Sequence, residues 1–195
     1  MKNLEKIVLG LFFVSIPLKI FQLPGGQLIL LLSGASVAMF YYVAGYFILN
    51  DVSLKMLLKE RKGKNVSIPI LFGSIMGGWD FSIIALGILF KLMFFPGADN
   101  MLVTGIILLT ILQIGSLFIR KTNPETFARF FNRVIIFFGA GLLASFLSYN
   151  QIIDFEYSDD VEYSEALKKT MTYPNDTAIR KEFDALRLER AKDLP

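Results

Sequence analysis

KIFQLPGG at Lys19–Gly26 returns 72 residues later as KLMFFPGA at Lys91–Ala98, and each copy stands between two long stretches almost free of charge. Proline followed by glycine stops a helix and supplies the conformations of a tight turn. The phrase therefore reads as the tip of a helical hairpin, written twice in the same orientation. An offset of 72 aligns Lys19 with Lys91, Pro24 with Pro96 and Gly25 with Gly97. Parallel repeats of this kind are known among transporters.

The flanking stretches fix the solvent. A hydrocarbon core about 30 Å thick needs about 20 apolar residues per helical crossing, and irregular backbone inside it would leave peptide groups unpaired. Of the 195 residues, 54% are hydrophobic and 19% charged, with 19 phenylalanines. That is more apolar surface than a soluble domain of this length could bury. The expected fold is all-α: a polytopic membrane protein with five transmembrane helices, two similar hairpins plus one, and a short helical tail outside the membrane. The spans fall at about 7–23, 27–49, 68–95, 100–119 and 134–153, and the tail at 154–195. The third stretch, 66–95, exceeds what one crossing needs and carries Pro69 and Gly77-Gly78, so part of it is expected to bend or to lie at the interface. In the second, Gly34-Ala35-Ser36 offers a small-residue surface to a neighbouring helix. Lys2 and Lys6 precede an apolar run as in a secretory signal, but Pro17 and Lys19 replace the small residues of a cleavage site, so the segment reads as a retained anchor.

Orientation follows from lysine and arginine. The loop at 50–66 holds Lys55, Lys59, Arg61, Lys62 and Lys64, and the loop at 120–133 holds Arg120, Lys121, Arg129 and Arg133. The two proline turns hold one charge between them, Asp99. The N-terminus and both basic loops are expected in the cytoplasm, and the C-terminus in the periplasm of a bacterial inner membrane. Residues 154–195 contain eleven acids and seven bases, which agrees with an exported tail.

Within the tail, Asp159 with Glu162 three residues on reads as a capping box for a helix to about Met171. Tyr173-Pro174-Asn175-Asp176 reads as a turn and a second cap, followed by a helix over about 177–192. Its one apolar face is Ile179, Phe183 and Leu186, a narrow stripe that would be marginal alone in water. It is therefore a candidate partner face.

With neither cysteine nor histidine, the chain lacks the side chains for disulfides, thiolate or imidazole metal sites and His-based nucleophilic catalysis. It shows no glycine-rich phosphate loop and no nucleotide fingerprint. The reading is non-enzymatic, without cofactor, metal or nucleic-acid partner; the expected partners are membrane lipid and other membrane or periplasmic subunits. Ionisable groups at bilayer depth are the candidate sites. Lys19 and Lys91 each lie five residues before their proline, close enough for the ammonium to reach the interface or the turn carbonyls. Asp80 lies 16 residues before Pro96 and Gln113 lies 17 after it. The two are expected at one depth, hydrogen-bonded, with Thr110 nearby. Such a cluster would serve either as glue between helices or as a proton site.

At Phe90-Lys91-Leu92, Pro96-Gly97-Ala98 and Met101-Leu102, preceded by Gly73-Ser74 and Gly87, the chain resembles the membrane hairpin of the gliding motility protein GldL family of Bacteroidetes. A looser likeness is to small DoxX-type membrane proteins. The first resemblance implies an inner-membrane subunit associated with type IX secretion and gliding. Members of that family carry an acidic residue in the second helix of the hairpin. Residues 100–119 here contain none, so the motor role is not implied. The leading expectation is a subunit or scaffold of a multiprotein membrane complex; the alternative is a small transporter or proton-coupled channel subunit using Asp80.

Overall fold

The computed structural model describes residues 2–50 and 68–193, and the regular elements among them are all helical. The basic residues of the loop at 50–66, and the beginning of the third stretch, lie outside the described residues. The chain forms two compact units, Met1–Phe146 and Leu147–Pro195.

The first unit contains α1 (Lys2–Ile20), α2 (Gly26–Asn50), α3 (Ile68–Leu92), α4 (Ala98–Ser116) with a 3-10 turn at Leu117–Ile119, and α5 (Pro124–Phe146). Four of these, α2, α3, α4 with its 3-10 turn, and α5, are long and apolar enough to cross a membrane. The chain is a membrane protein on that basis. α1 is 19 residues long and carries Lys2, Glu5, Lys6 and Lys19, and it is not among the four.

Two sequence boundaries are corrected. The last apolar helix runs over Pro124–Phe146, not 134–153. It ends where the Ser148 side chain accepts a hydrogen bond from the Gln151 amide (3.2 Å) while Gln151 Oε1 accepts one from the Ser148 amide (2.9 Å). This reciprocal box satisfies the first amides of a new helix, and the tail begins there. The loop at 120–133 accordingly contracts to 120–123, placing Arg129 and Arg133 on α5. α3 is one uninterrupted helix from Ile68 to Leu92. Gly77 and Gly78 do not interrupt it; they admit neighbours. A Cβ on Gly78 would stand 2.7 Å from the Tyr41 carbonyl oxygen and 2.8 Å from Gly45 Cα, and one on Gly77 would stand 2.7 Å from the Phe130 ring. The small face of α2 is likewise Ser33, Gly34, Val37 and Ala38, all buried, whereas Ala35 and Ser36 are exposed.

The two proline turns share a set of backbone hydrogen bonds. Phe21, Gln22 and Leu23 donate their amides to Pro17, Lys19 and Leu18; Met93, Phe94 and Phe95 donate to Leu89, Lys91 and Phe90. Each pair of bonds is related by the same offset of 72. Gly25 and Gly97 adopt φ of 76° and 87°, left-handed backbone open to glycine at little steric cost, and Gln22 and Phe94 also have positive φ, 52° and 58°. α1 packs on α2, and α3 packs on both α2 and α4.

Between these helices the core is aromatic. Phe81 stacks on Phe137 (4.8 Å between centroids), and Tyr41 meets the edges of both, at 5.4 Å from Phe81 and 4.9 Å from Phe137. Tilted and edge-on pairs add about 0.5–1.5 kcal/mol each beyond the area they bury, which ties α2, α3 and α5 together.

The second unit contains α6 (Tyr149–Glu156), α7 (Val161–Thr172) and α8 (Thr177–Asp193). Asp160, not Asp159, caps α7, accepting from the Tyr163 amide at 3.0 Å. Asp176 caps α8 by accepting from the amides of Ala178 (2.8 Å) and Ile179 (3.3 Å). Lys168 on α7 pairs with Asp154 on α6.

Candidate functional site

The helices of the first unit bring polar groups together at several levels, and the level read from the sequence is not where they meet. Asp80 is 2% exposed, and neither carboxylate oxygen has a hydrogen-bond partner. It faces α4 at Gly105, where an added Cβ would lie 3.6 Å from Asp80 Oδ1. Gln113 is eight residues farther along α4, about 12 Å at 1.5 Å per residue, and its own Oε1 is also without a partner. Thr110 is exposed and donates to the Ile106 carbonyl of its own helix at 2.7 Å. Asp80, Gln113 and Thr110 therefore do not converge. The register is set by glycine. Gly87 admits Leu102, and Gly105 admits Ile84, in a contact where an added Cβ would stand 2.6 Å away. With Gly87 against Leu102 and Ile84 against Gly105, facing residue numbers in this antiparallel pair sum to 189, so Asp80 comes level with Leu109, about one helical turn short of Gln113.

At the proline turns both lysines are buried, Lys19 at 5% and Lys91 at 3% exposure. Lys91 pairs with the Asp99 carboxylate across its own turn. The Lys19 ammonium lies 4.2 Å from the Phe94 ring centroid, so a residue of the first copy engages the left-handed position of the second. Protein, not the lipid interface alone, receives these charges. Pro24, Pro96 and Gly97 occupy the turns as read from the sequence.

The strongest constellation was missed in the sequence. Arg133 Nε and Nη2 donate to Glu5 Oε1 and Oε2, both at 2.6 Å, and the Tyr41 hydroxyl donates to Glu5 Oε1 at 2.6 Å. Arg133 Nη1 donates to the Arg129 carbonyl at 2.7 Å. Glu5 and Arg133 keep 9% and 13% of their side chains exposed, so α1, α2 and α5 share one buried, charge-neutral junction. Planar guanidinium matched to carboxylate is the most directional of ion pairs. A helix bearing Glu5 can thus lie against apolar neighbours. The only signal for it in the sequence was an acid near the start of an apolar run and an arginine inside one. Two further junctions are neutral: Asn50 Nδ2 donates to Ser74 Oγ at 2.9 Å, joining α2 to α3, and Ser15 and Ser33 share a hydrogen bond at 3.0 Å, joining α1 to α2.

In the tail, Ile179, Phe183 and Leu186 are half-buried. Phe183 lies 5.3 Å from Tyr163, which in turn lies 4.8 Å from Tyr157, and the Arg190 guanidinium sits over both tyrosine rings at 4.6 and 4.8 Å. The stripe offered as a partner face is in part covered by the tail's own α7. Burial pushes the Tyr157 and Tyr163 phenols above their ordinary range, with Glu156 adding to the rise at both.

Among the described residues, no three acidic, histidine or cysteine side chains are grouped as a metal site would require. No protein-family model, curated protein or solved structure matches the chain.

Proposed function

We propose that this chain is a non-enzymatic subunit or scaffold of a multiprotein complex in the bacterial inner membrane. It crosses the membrane five times, as two similar hairpins plus one helix, with its N-terminus in the cytoplasm and its tail in the periplasm. The observation that carries the reading is the pairing of polar groups between helices: Glu5 with Tyr41 and Arg133, Asn50 with Ser74, Ser15 with Ser33. These groups are spent on joining α1, α2, α3 and α5 into a fixed body, which suits a platform that holds others. α1 serves as the fifth crossing because its charges are compensated by protein, Glu5 by Arg133 and Lys19 by the Phe94 ring. Charges inside a bilayer persist when they face partners of this kind. The separate helical unit after Phe146 is the part that reaches periplasmic partners. Type IX secretion and gliding is the assembly to which the hairpin resemblance points.

The test is affinity capture of the intact chain and of a truncation after Phe146 from native membranes, at matched expression. Partners present with the first and lost with the second support a docking tail. Identical partners from both refute it.

A second reading, a small proton-coupled transporter or channel subunit, is favoured by one observation: Asp80 is buried and both its oxygens are without a hydrogen-bond partner. Asp80→Asn separates the two readings. A scaffold carrying Asn still assembles and supports its complex, while a proton pathway stops.

A further inference from the structure

At the end of the bundle opposite the proline turns, α3, α4, the 3-10 turn and α5, with Leu49 of α2, line a cavity of about 420 Å3. It lies within the range of about 300–1,000 Å3 usual for ligand sites. Its walls include Ile70, Phe72, Leu112, Phe118 and Phe130. Phe72 and Phe118 are 64% and 84% exposed, so the cavity opens on the outer surface of the bundle, where a membrane protein meets acyl chains. Two of its polar wall residues are already engaged. Ser74 accepts from Asn50, and Ser116 donates to the Gln113 carbonyl at 2.7 Å. What these leave is a slot suited to hydrocarbon rather than to a polar solute.

Its rim is basic. Arg120 and Lys121 directly follow the wall residue Ile119, and the Arg120 guanidinium lies 5.7 Å from the ring centroid of Phe127, the neighbour of the wall residue Thr126. Glu125, an acid on the same rim, pairs with Arg129 at 3.6 Å, which offsets its charge. Basic pockets between helices at the cytoplasmic face are where anionic headgroups bind.

We infer that this cavity is a binding site for an anionic phospholipid, one acyl chain lying between α3, α4 and α5 and the phosphate on Arg120 and Lys121. The inference rests on the membrane placement of the chain and not on its role as a scaffold.

The test reconstitutes the full chain into phosphatidylcholine vesicles carrying either spin-labelled phosphatidylglycerol or spin-labelled phosphatidylcholine, and compares the motionally restricted fraction of each label. Preference for the anionic label is expected to fall about fivefold for each basic residue removed in Arg120→Gln and Lys121→Gln. Gly73→Leu and Gly115→Leu place side chains into the cavity from two different helices, at positions where an added Cβ meets nothing within 4 Å. Both are expected to fold and to lose the anionic preference. Equal restriction of the two labels by the unmodified chain overturns the inference. So does an anionic preference that survives both leucine variants, since the lipid would then lie on the surface alone. A chain that fails to float with the vesicles refutes the membrane placement itself and takes the inference with it.

Discussion

Arg133 grips the carboxylate of Glu5, 128 positions away in the chain, with two parallel hydrogen bonds of 2.6 Å, and the Tyr41 hydroxyl adds a third to the same group. The pair closes the first unit by fastening its first helix to its last. Breaking it from one side strands a desolvated charge. Arg133→Met or Glu5→Met alone is expected to destabilise by about 3–5 kcal/mol. The double variant Glu5→Met/Arg133→Met should recover most of that loss, because removing both charges also removes their desolvation cost. Thermal unfolding of the four proteins in one detergent measures the coupling; additive losses would show that the pair is not a unit.

Backbone approach between α2 and α3 gives a second prediction. A Cβ on Gly45 would stand 2.5 Å from Gly78 Cα, a separation no side chain tolerates without moving a helix. Gly45→Ala and Gly78→Ala are expected to cost about 1–3 kcal/mol each through overpacking. Gly139→Ala, where an added Cβ meets nothing within 4 Å, should be neutral or stabilising by up to about 1 kcal/mol from helix propensity. The same unfolding assay ranks the three.

Asp160 and Asp159 are adjacent, and only the first holds an amide at the start of α7. Asp160→Ala should cost α7 about 1 kcal/mol and speed hydrogen exchange at its first amides, while Asp159→Ala leaves them unchanged. Equal effects would show that the cap is shared.

Alkaline pH tests the tyrosine cluster of the tail. Tyr157 and Tyr163 both titrate higher in the folded tail than in an open chain. The folded form therefore holds protons that the unfolded form releases, so stability is complete below the ordinary phenol value of about 10 and declines as pH rises above it. Phenol absorbance and helix content should accordingly change together above that pH. Phenolate formed while helix content stays constant would sink the prediction.

What the sequence disclosed and what it concealed differ in physical kind. The proline turns were legible because Pro24-Gly25 and Pro96-Gly97 act locally, and the shared offset carried through to the hydrogen bonds. The turn and cap at Tyr173–Asp176 were legible for the same reason. The start of α5 was concealed because Arg129 and Arg133 look like loop charges until their partners are known. Asp159 and Asp160 both satisfy a capping pattern, so backbone geometry had to choose. Asp80 and Gln113 were matched by counting residues from Pro96, but depth in a helical pair depends on where side chains interlock, and Ile84 against Gly105 sets a different register.

That register leaves Asp80 buried with two unsatisfied oxygens. An unpaired polar group in such a place costs about 1–3 kcal/mol relative to one that is satisfied, so its presence works against stability. Asp80→Leu, which keeps the branched shape and the number of side-chain heavy atoms, is expected to raise the unfolding midpoint, and Asp80→Asn to leave it nearly unchanged, since an amide in the same place is no better partnered. If Asp80→Leu were instead to destabilise the chain strongly, the carboxylate must hold a partner that forms part of the fold. A stabilised Asp80→Leu protein whose native complex no longer works would show that the chain tolerates this acid for its activity, at the expense of its packing.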